Sequence, residues 1–419
     1  MFDTPMEKFT LTIDGYDVKE YLKKLKIVEE MFLLVPYVEF EFESSDLVIN
    51  NINLKTDSVV SMDVQFAPSV TDKEDAFKRE EKLVFKLKDS SIEHNPRTSE
   101  TYVKCFALLD INSELYNSKK HIYHNQSTSD MFTNIMRKKA KTIEVTPTND
   151  KMKSVQWFES DLEFLNRNVK HSYFSESDYM CQWVSRNVDG HYKSFNQLTN
   201  KVDFILDANS RTLDIMSNVT ETTTQNQNDQ ASQDVKIPCG SFLISSLFGS
   251  MTMEGGSGGV LSGYDQLSSG NINKGVSVVG FKNHKMGKYI PILDHEWGRV
   301  TKHKNVPQDF NGITHDNYQK SKMENDMFWS MVSSNSINTV VGFNTKVHVG
   351  KCFRVDVNKF NESDQESQSS FLRDTLFVVG SLVHSYSSED EKLWTRIYGV
   401  TFGLNKNDDE TKFRYITQG

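Results

Sequence analysis

The residues that come closest to a reactive arrangement are Asp294, His295 and Glu296, with His303 seven residues further on. Carboxylates that flank an imidazole could hold a metal ion or act as an acid–base pair. The spacing matches no zinc signature, and we predict an ordinary polar loop with no catalytic residue, no bound metal and no cofactor. A hydrolase that uses this loop remains an alternative.

The other histidines and the cysteines fit structural roles better than reactive ones. His121 and His124 are three residues apart and could share a helix face, but no thiolate or carboxylate ligand lies near them in the sequence. His384 lies in an apolar run, where we expect its ring nitrogens to bond the backbone. The four cysteines are far apart, which indicates reduced, buried thiols: Cys105, Cys181, Cys239 and Cys352.

The composition is that of a globular, strand-rich chain with more than one domain. A length of 419 residues exceeds one ordinary core, and the short apolar runs are β-branched or aromatic. No run approaches the roughly 18 apolar residues of a membrane span. A net charge of −9 argues against general binding of nucleic-acid phosphates. The first residues lack the basic-then-apolar order of a signal peptide, so we expect a cytoplasmic origin.

Alternating apolar and polar residues predict half-buried antiparallel strands in the first part of the chain. These runs lie at Phe9–Ile13, Tyr37–Phe42, Val59–Phe66, Lys82–Leu87 and Thr101–Asp110. Several short strands separated by polar turns indicate a small barrel or sandwich. Asp17–Phe32 is ambiguous, because its apolar residues recur at helical spacing.

The clearest local signal is the start of a helix after Ser160. The Ser160 hydroxyl can accept a bond from an unpaired backbone N–H, and Glu163 three residues later completes a capping box. Asp161 places negative charge at the positive end of the helix dipole. Phe164 and Leu165 lie on the apolar side, so we predict that this helix packs on a core.

A strand that ends in Trp157 and Phe158 is predicted before this helix, and another helix is predicted over Ser129–Lys141 with Ser129 as its N-cap. The order of strand, acidic turn and helix resembles the hub proteins of contractile phage tail baseplates and their relatives at the tip of type VI secretion spikes. In that family a segment of the type W…(S/T)xxDFLNRLA opens the domain next to the barrels. The matching positions here are Asp161, Phe164, Leu165, Asn166 and Arg167.

The last part of the chain resembles the end of the second barrel in hub proteins. A strand and turn at Val347–Val355, a strand at Leu376–Ser385 and a final strand at Trp394–Phe402 follow in the same order. The two resemblances together imply a set of structural framework residues. These are Trp157, Phe158, Ser160, Asp161, Phe164, Leu165, Gly350, His384 and Trp394.

The fold that the resemblance implies is α+β, mainly β, with two small antiparallel tail-tube-like barrels joined by a mixed α/β region. The first barrel would span residues 1–115 and the connecting region 116–334. The second would span 335–419, and strands from 200–216 could complete it. A long polar insertion near 217–271 is not part of the family pattern, and we interpret it as exposed loops. Within Asp17–Phe32 the resemblance places a strand near Leu25–Glu30.

The function implied is that of a structural baseplate hub, without enzymatic activity. Three chains with two barrels each would form a ring of six similar modules, which adapts a sixfold tail tube to a threefold central spike. The implied partners are two further copies of the chain, the tail tube protein, the central spike protein and baseplate wedge proteins. DNA would pass through the acidic lumen without specific binding. A β-rich carbohydrate-binding or adhesin module of a virion is the second alternative.

Overall fold

The computed structural model describes most of the chain in separate stretches. They are residues 8–31, 34–44, 54–66, 79–97, 100–111, 113–175, 178–208, 236–246, 258–265, 270–277, 304–307, 335–343, 347–356, 375–389 and 392–401, with single positions between 315 and 332. The loop of Asp294, His295 and Glu296, and His303 with it, lie outside these residues. No helix among the described residues is long and apolar enough to cross a membrane.

The first seven strands form an antiparallel sheet that rolls around a core. They are β1 (Lys8–Ile13), β2 (Tyr16–Asp17), β3 (Leu22–Glu30), β4 (Tyr37–Ser44), β5 (Val59–Phe66), β6 (Arg79–Asn95) and β7 (Glu100–Leu109), and a 3-10 helix at Lys19–Tyr21 precedes β3. Their order is β3-β4-β7-β6-β5-β1-β2. Leu83, Phe85 and Leu87 of β6 are buried, as the alternation predicted. Phe9 of β1 contacts Tyr386 on the strand beyond β3, with ring centroids 4.7 Å apart, so the sheet curls back on itself.

The ambiguity at Asp17–Phe32 is resolved in favour of a strand. The helical interpretation of its spacing is wrong, and the strand implied by the family resemblance is present as β3. Both edges of β3 have partner strands, so its backbone groups bond across the sheet instead of within a helix. Leu25, Ile27 and Glu29 of β3 face inward together.

Between residues 113 and 198, the described part of the connecting region contains three short helices and two small sheets. Its elements are β8 (Lys119–Gln126), α1 (Thr128–Met136), β9 (Thr142–Val145), β10 (Met152–Glu159), α2 (Asp161–Val169), β11 (Met180–Val184), β12 (Asp189–Ser194) and α3 (Phe195–Leu198), after a 3-10 helix at Ser113–Tyr116. β8 pairs with β10, and the second sheet has the order β11-β12-β9. Phe132 of α1 and Phe164 of α2 are fully buried in the same core as the rolled sheet.

The two helix starts test the capping predictions. At α2 the prediction is confirmed, because the Ser160 hydroxyl accepts from the Glu163 N–H and the Glu163 carboxylate accepts from the Ser160 N–H. At α1 the prediction is wrong by two residues, since Ser127 is the N-cap and forms a capping box with Asp130. The predicted cap, Ser129, instead accepts a bond from the backbone N–H of Thr148.

The second half contains a closed six-stranded barrel. Its strands are β13 (Phe204–Asp207), β14 (Lys236–Ser246), β18 (Asn335–Gly342), β19 (Cys352–Asp356), β20 (Phe377–Ser387) and β21 (Lys392–Val400). They follow the order β19-β13-β14-β18-β21-β20, and β20 returns to pair with β19. β13 departs from the antiparallel pattern, because it pairs in parallel with both neighbours. Long stretches of chain connect it to them, as parallel pairing requires.

Part of the predicted polar insertion is also strand. β15 (Gly258–Asp265) pairs with β16 (Gly270–Ser277) and with β17 (Lys304–Pro307). The interpretation of the 217–271 insertion as exposed loops is therefore wrong at β14, at β15 and at the start of β16. Ladder hydrogen bonds join backbone groups, so a glycine-rich run without alternation can still pair.

The pairing of β3 with β20 joins the rolled sheet of the first seven strands to the barrel. β20 pairs with β21 of the barrel on one side and with β3 of the rolled sheet on the other. The strands of the rolled sheet and of the barrel therefore belong to one continuous hydrogen-bonded sheet. The mainly β, α+β fold class expected from the sequence is confirmed.

We expect Phe164→Ala to lower the free energy of unfolding by about 3–5 kcal/mol, the usual range for truncating a buried phenylalanine. Phe164 is fully buried and its ring stacks on Tyr123 at 4.9 Å. Ile92→Ala is the control, because Ile92 of β6 is exposed and its truncation leaves no cavity. Urea unfolding of the three proteins measures the difference. Equal midpoints for the two variants would contradict the burial of α2.

Candidate functional site

A buried arginine joins the three parts of the molecule. Arg186 lies in the turn between β11 and β12 and is 1% exposed. Its Nη1 donates to Glu29 Oε1 of β3 at 2.7 Å, and its Nε donates to Glu81 Oε1 of β6 at 2.5 Å. Nη1 also donates to the carbonyl of Val347, just before β19, at 3.0 Å. One side chain therefore links the connecting region, the rolled sheet and the barrel; we call this group, with His384, the Arg186 cluster.

His384 of β20 completes the Arg186 cluster. Its Nε2 lies 3.0 Å from Glu29 Oε1 and its Nδ1 lies 2.8 Å from the Thr395 hydroxyl. These partners are side chains, so the prediction that the ring bonds the backbone is wrong. The ring could not be assigned such partners from the sequence, because Glu29 is 355 residues away along the chain.

The charges of the Arg186 cluster hold each other in place. Burial by itself raises the pKa of Glu29, but the charge of Arg186 and the hydrogen bonds from His384 and Arg186 outweigh it and keep that pKa well below its ordinary value. Burial lowers the pKa of His384, and the hydrogen bond with Glu29 opposes this effect. The Arg186 Nη1 atom also lies 3.3 Å from His384 Nε2.

The Arg186 cluster is closed to solvent, so it can fasten elements together but cannot meet a substrate. Glu81 is its most exposed charged member, at 7%. Sequence reasoning missed Arg186 and Glu29 because neither belongs to a motif. Glu29 lies inside a segment whose apolar residues recur at helical spacing, and Arg186 lies in a short turn whose neighbours suggest only a hairpin.

A second group of ion pairs, apart from the Arg186 cluster, surrounds Asp161 at the start of α2 and is partly buried. Its Oδ2 accepts from Lys119 at 2.7 Å and from Lys139 at 2.5 Å, and its Oδ1 accepts from Gln156 at 2.9 Å. Burial raises the pKa of Asp161, but the bonds from the two lysines and from Gln156 outweigh it and lower the pKa. The residue predicted from the helix start thus ties α2 to β8, to β10 and to the chain after α1.

The remaining predicted framework residues lie in different environments. Leu165 is buried, and Trp394 is half-buried in β21. Trp157 and Phe158 instead project from the end of β10 and are 66% and 61% exposed. Their framework role therefore stays a prediction, and their exposure calls for a different explanation.

Gly350 lies where a side chain cannot fit. Its φ is +82°, and an added Cβ would lie 2.3 Å from a ring carbon of Trp183. The Trp183 ring stacks on His191 with centroids 4.8 Å apart. These residues, with His348 and Lys351, line a cleft of about 330 Å³ between the β11-β12-β9 sheet and the turn before β19.

The described residues contain no group of three histidine, cysteine or acidic side chains that could hold a metal ion. His121 and His124 lie on strand β8. Residues three apart on a strand point to opposite faces of the sheet. The suggestion that these histidines could share a helix face is therefore wrong. The four cysteines are free and buried. Burial raises the pKa of three thiols to about 12, which makes them poor nucleophiles: Cys105, Cys239 and Cys352.

We expect Arg186→Met to lower the free energy of unfolding by about 3–5 kcal/mol at neutral pH, because it leaves two buried carboxylates without their cation. The loss should shrink as the pH falls below about 4.5. The depressed pKa of Glu29 means that its ionised form stabilises the native protein above about pH 4.5 and that this contribution fades in acid. Arg396→Met, at an exposed position of β21, is the control. Urea unfolding at pH 7 and at about pH 3 measures both losses, and a loss that is the same at the two pH values would contradict this account.

We also expect Gly350→Ala to be about 1–3 kcal/mol more destabilising than Gly15→Ala, the usual range for overpacking. Both glycines have a left-handed backbone, with φ of +82° and +85°, but an added Cβ at Gly15 meets nothing within 4 Å. The difference between the two variants therefore isolates the contact with Trp183. Thermal unfolding measures it, and equal shifts would show that Trp183 moves aside freely.

Comparison with known proteins identifies the fold. No protein-family model and no curated protein matches the chain. The tail protein from Neisseria meningitidis MC58 matches with a TM-score of 0.55 and 8% identity, over 94% of this chain and 96% of that chain. The 43 kDa tail protein of prophage MuSo2 from Shewanella oneidensis matches with a TM-score of 0.54 and 10% identity, over 94% of this chain and 98% of that one. The resemblance inferred from the sequence is confirmed at the level of the fold: this chain shares the fold of these two tail proteins.

Proposed function

We propose that the protein is a structural hub of a phage tail baseplate and belongs to the virion. The observation that carries the proposal is the match of 94% of this chain to two phage tail proteins, which includes the rolled sheet, the connecting region and the barrel together. A match to one barrel alone would support only a common small fold. The shared order of all three parts supports a common architecture.

The arrangement of the two β units suits a ring. The rolled sheet and the closed barrel lie side by side through the β3–β20 pair. Three copies would place six such units around an axis, so that the ring meets a sixfold tail tube on one side and a threefold spike on the other. The partners proposed are therefore two further copies, the tail tube protein, the central spike protein and the baseplate wedge proteins.

A passive role in DNA passage agrees with the charge and with the chemistry of the described residues. A net charge of −9 would let DNA pass a ring lumen without adhering to it. The Arg186 cluster is sealed from solvent and three of the thiols have strongly raised pKa values. We propose accordingly that the protein acts by assembly, without catalysis.

Native mass spectrometry tests the proposed function. The chain is measured alone and after co-expression with the tail tube and spike proteins of the same phage. We expect three times the 48.2 kDa mass of the chain in at least one of the two conditions, and a complex that retains the tube protein. Co-expression with an unrelated tube protein is the control. A monomer in both conditions, with no bound tube protein, would contradict the hub function.

A further inference from the structure

Several exposed apolar side chains lie together on one face of the two-stranded β8–β10 sheet. Trp157 pairs with Lys120 across this sheet, and Val155 pairs with Ile122. The three apolar members and the adjacent Phe158 are all among the exposed large hydrophobic residues of the described chain. We call this surface, made of Lys120, Ile122, Val155, Trp157 and Phe158, the aromatic face. Contiguous exposed apolar surface of this kind is typical of interaction sites.

The backbone is distorted in a way that enlarges the aromatic face. Strict alternation along β10 would turn Phe158 to the opposite side from Trp157. Instead Phe158 has a φ of +53°, and the pairing with β8 shifts register between Trp157 and Glu159. Phe158 therefore has an unusual backbone conformation, and its side chain is exposed instead of buried. Local strain of this sort is concentrated at functional sites.

The opposite side of this sheet is anchored firmly. Arg167 of α2 donates from Nη2 to the carbonyl of Val155 at 2.9 Å and forms an ion pair with Glu159. Tyr123 of β8 stacks on the buried ring of Phe164. The aromatic face is thus held in place before any partner arrives, so little ordering is needed when it binds.

The charge of the aromatic face narrows the choice of partner. Lys120 Nζ lies 4.9 Å from the Trp157 ring centroid and 3.9 Å from that of Phe158. Lys153 is exposed on the same side of β10. Within the described residues, neither lysine lies within ion-pair distance of an acidic side chain. The rim is cationic in a chain whose net charge is −9, so its complement is an apolar surface with carboxylates around it.

We propose that the aromatic face binds an acidic surface of a second copy of this chain. An acidic chain supplies that surface by its own composition. Two aromatic faces meeting each other would bring Lys120 against Lys120, so the contact must join unlike surfaces. A contact between unlike surfaces repeats around a closed ring. This proposal rests on the proposed function only for the number of copies in the assembly. What it adds is the surface through which the copies contact each other.

The test measures self-association of the full chain by native mass spectrometry and light scattering. The double variant Trp157→Ser/Phe158→Ser is compared with Ile92→Ser, which alters an equally exposed apolar side chain on β6. We expect the wild type and Ile92→Ser to assemble, and the double variant to associate at least about tenfold more weakly, as for loss of an aromatic hot spot. Lys120→Glu should weaken association as well, and added salt should weaken the wild type.

Several outcomes would overturn the inference. If the double variant assembles as the wild type does, the aromatic face is not the contact, while a homotrimeric hub can still stand. If the wild type stays monomeric alone but the double variant loses binding to a co-expressed tail protein, the occupant is that protein and not a second copy. Thermal unfolding of each variant confirms folding. If the double variant unfolds at a lower temperature than the wild type, the Lys120→Glu variant becomes the decisive test. Unchanged assembly of Lys120→Glu would then overturn the proposal.

Discussion

The structure depends on one buried cation. A guanidinium in a dry interior is tolerated only where carboxylates and carbonyls surround it, and the partners of Arg186 come from β3, from β6 and from the turn before β19. If any of these elements moved away, a buried charge would lose its partner. Such clusters add less net stability than apolar packing of equal volume, but they penalise every wrong arrangement. We therefore infer that the Arg186 cluster sets how the rolled sheet, the connecting region and the barrel fit together.

The β3–β20 pair acts with this cluster. Glu29 and His384 lie on these two neighbouring strands and bond each other, so the hydrogen-bonded ladder and the buried charges define the same register. A shift of one residue would turn Glu29 outward and leave Arg186 without its bond. The barrel closes on itself through β19 and β20, which removes exposed strand edges there. The strands of the two β units thus form one continuous hydrogen-bonded sheet.

The connecting region has a different role, because one of its sides is buried and the other is exposed to solvent. Its helices pack on the core of the rolled sheet, and its β8–β10 sheet presents aromatic side chains to solvent. The described residues form closed polar clusters and one prominent apolar surface, and they contain no group of three side chains that could hold a metal ion. This distribution favours a protein that works by contact with other chains. It agrees with the proposed hub, in which geometry and partners matter more than reactive groups.

The sequence by itself determined what depends on neighbouring residues. Ser160 and Glu163 specify the start of α2 because a capping box spans only three residues, and alternation locates β6 because adjacent side chains face opposite ways. Only the tertiary structure decided how distant segments meet. Arg186 bonds Glu29 across 157 positions, and β13 finds parallel partners. The same holds for exposure: Trp157 and Phe158 were predicted as framework residues, but Trp157 faces outward in the alternation of β10, and a register shift with a left-handed backbone turns Phe158 outward as well. Local signals encode backbone conformation, whereas charge partners, strand order and solvent exposure arise from residues that are remote in the chain.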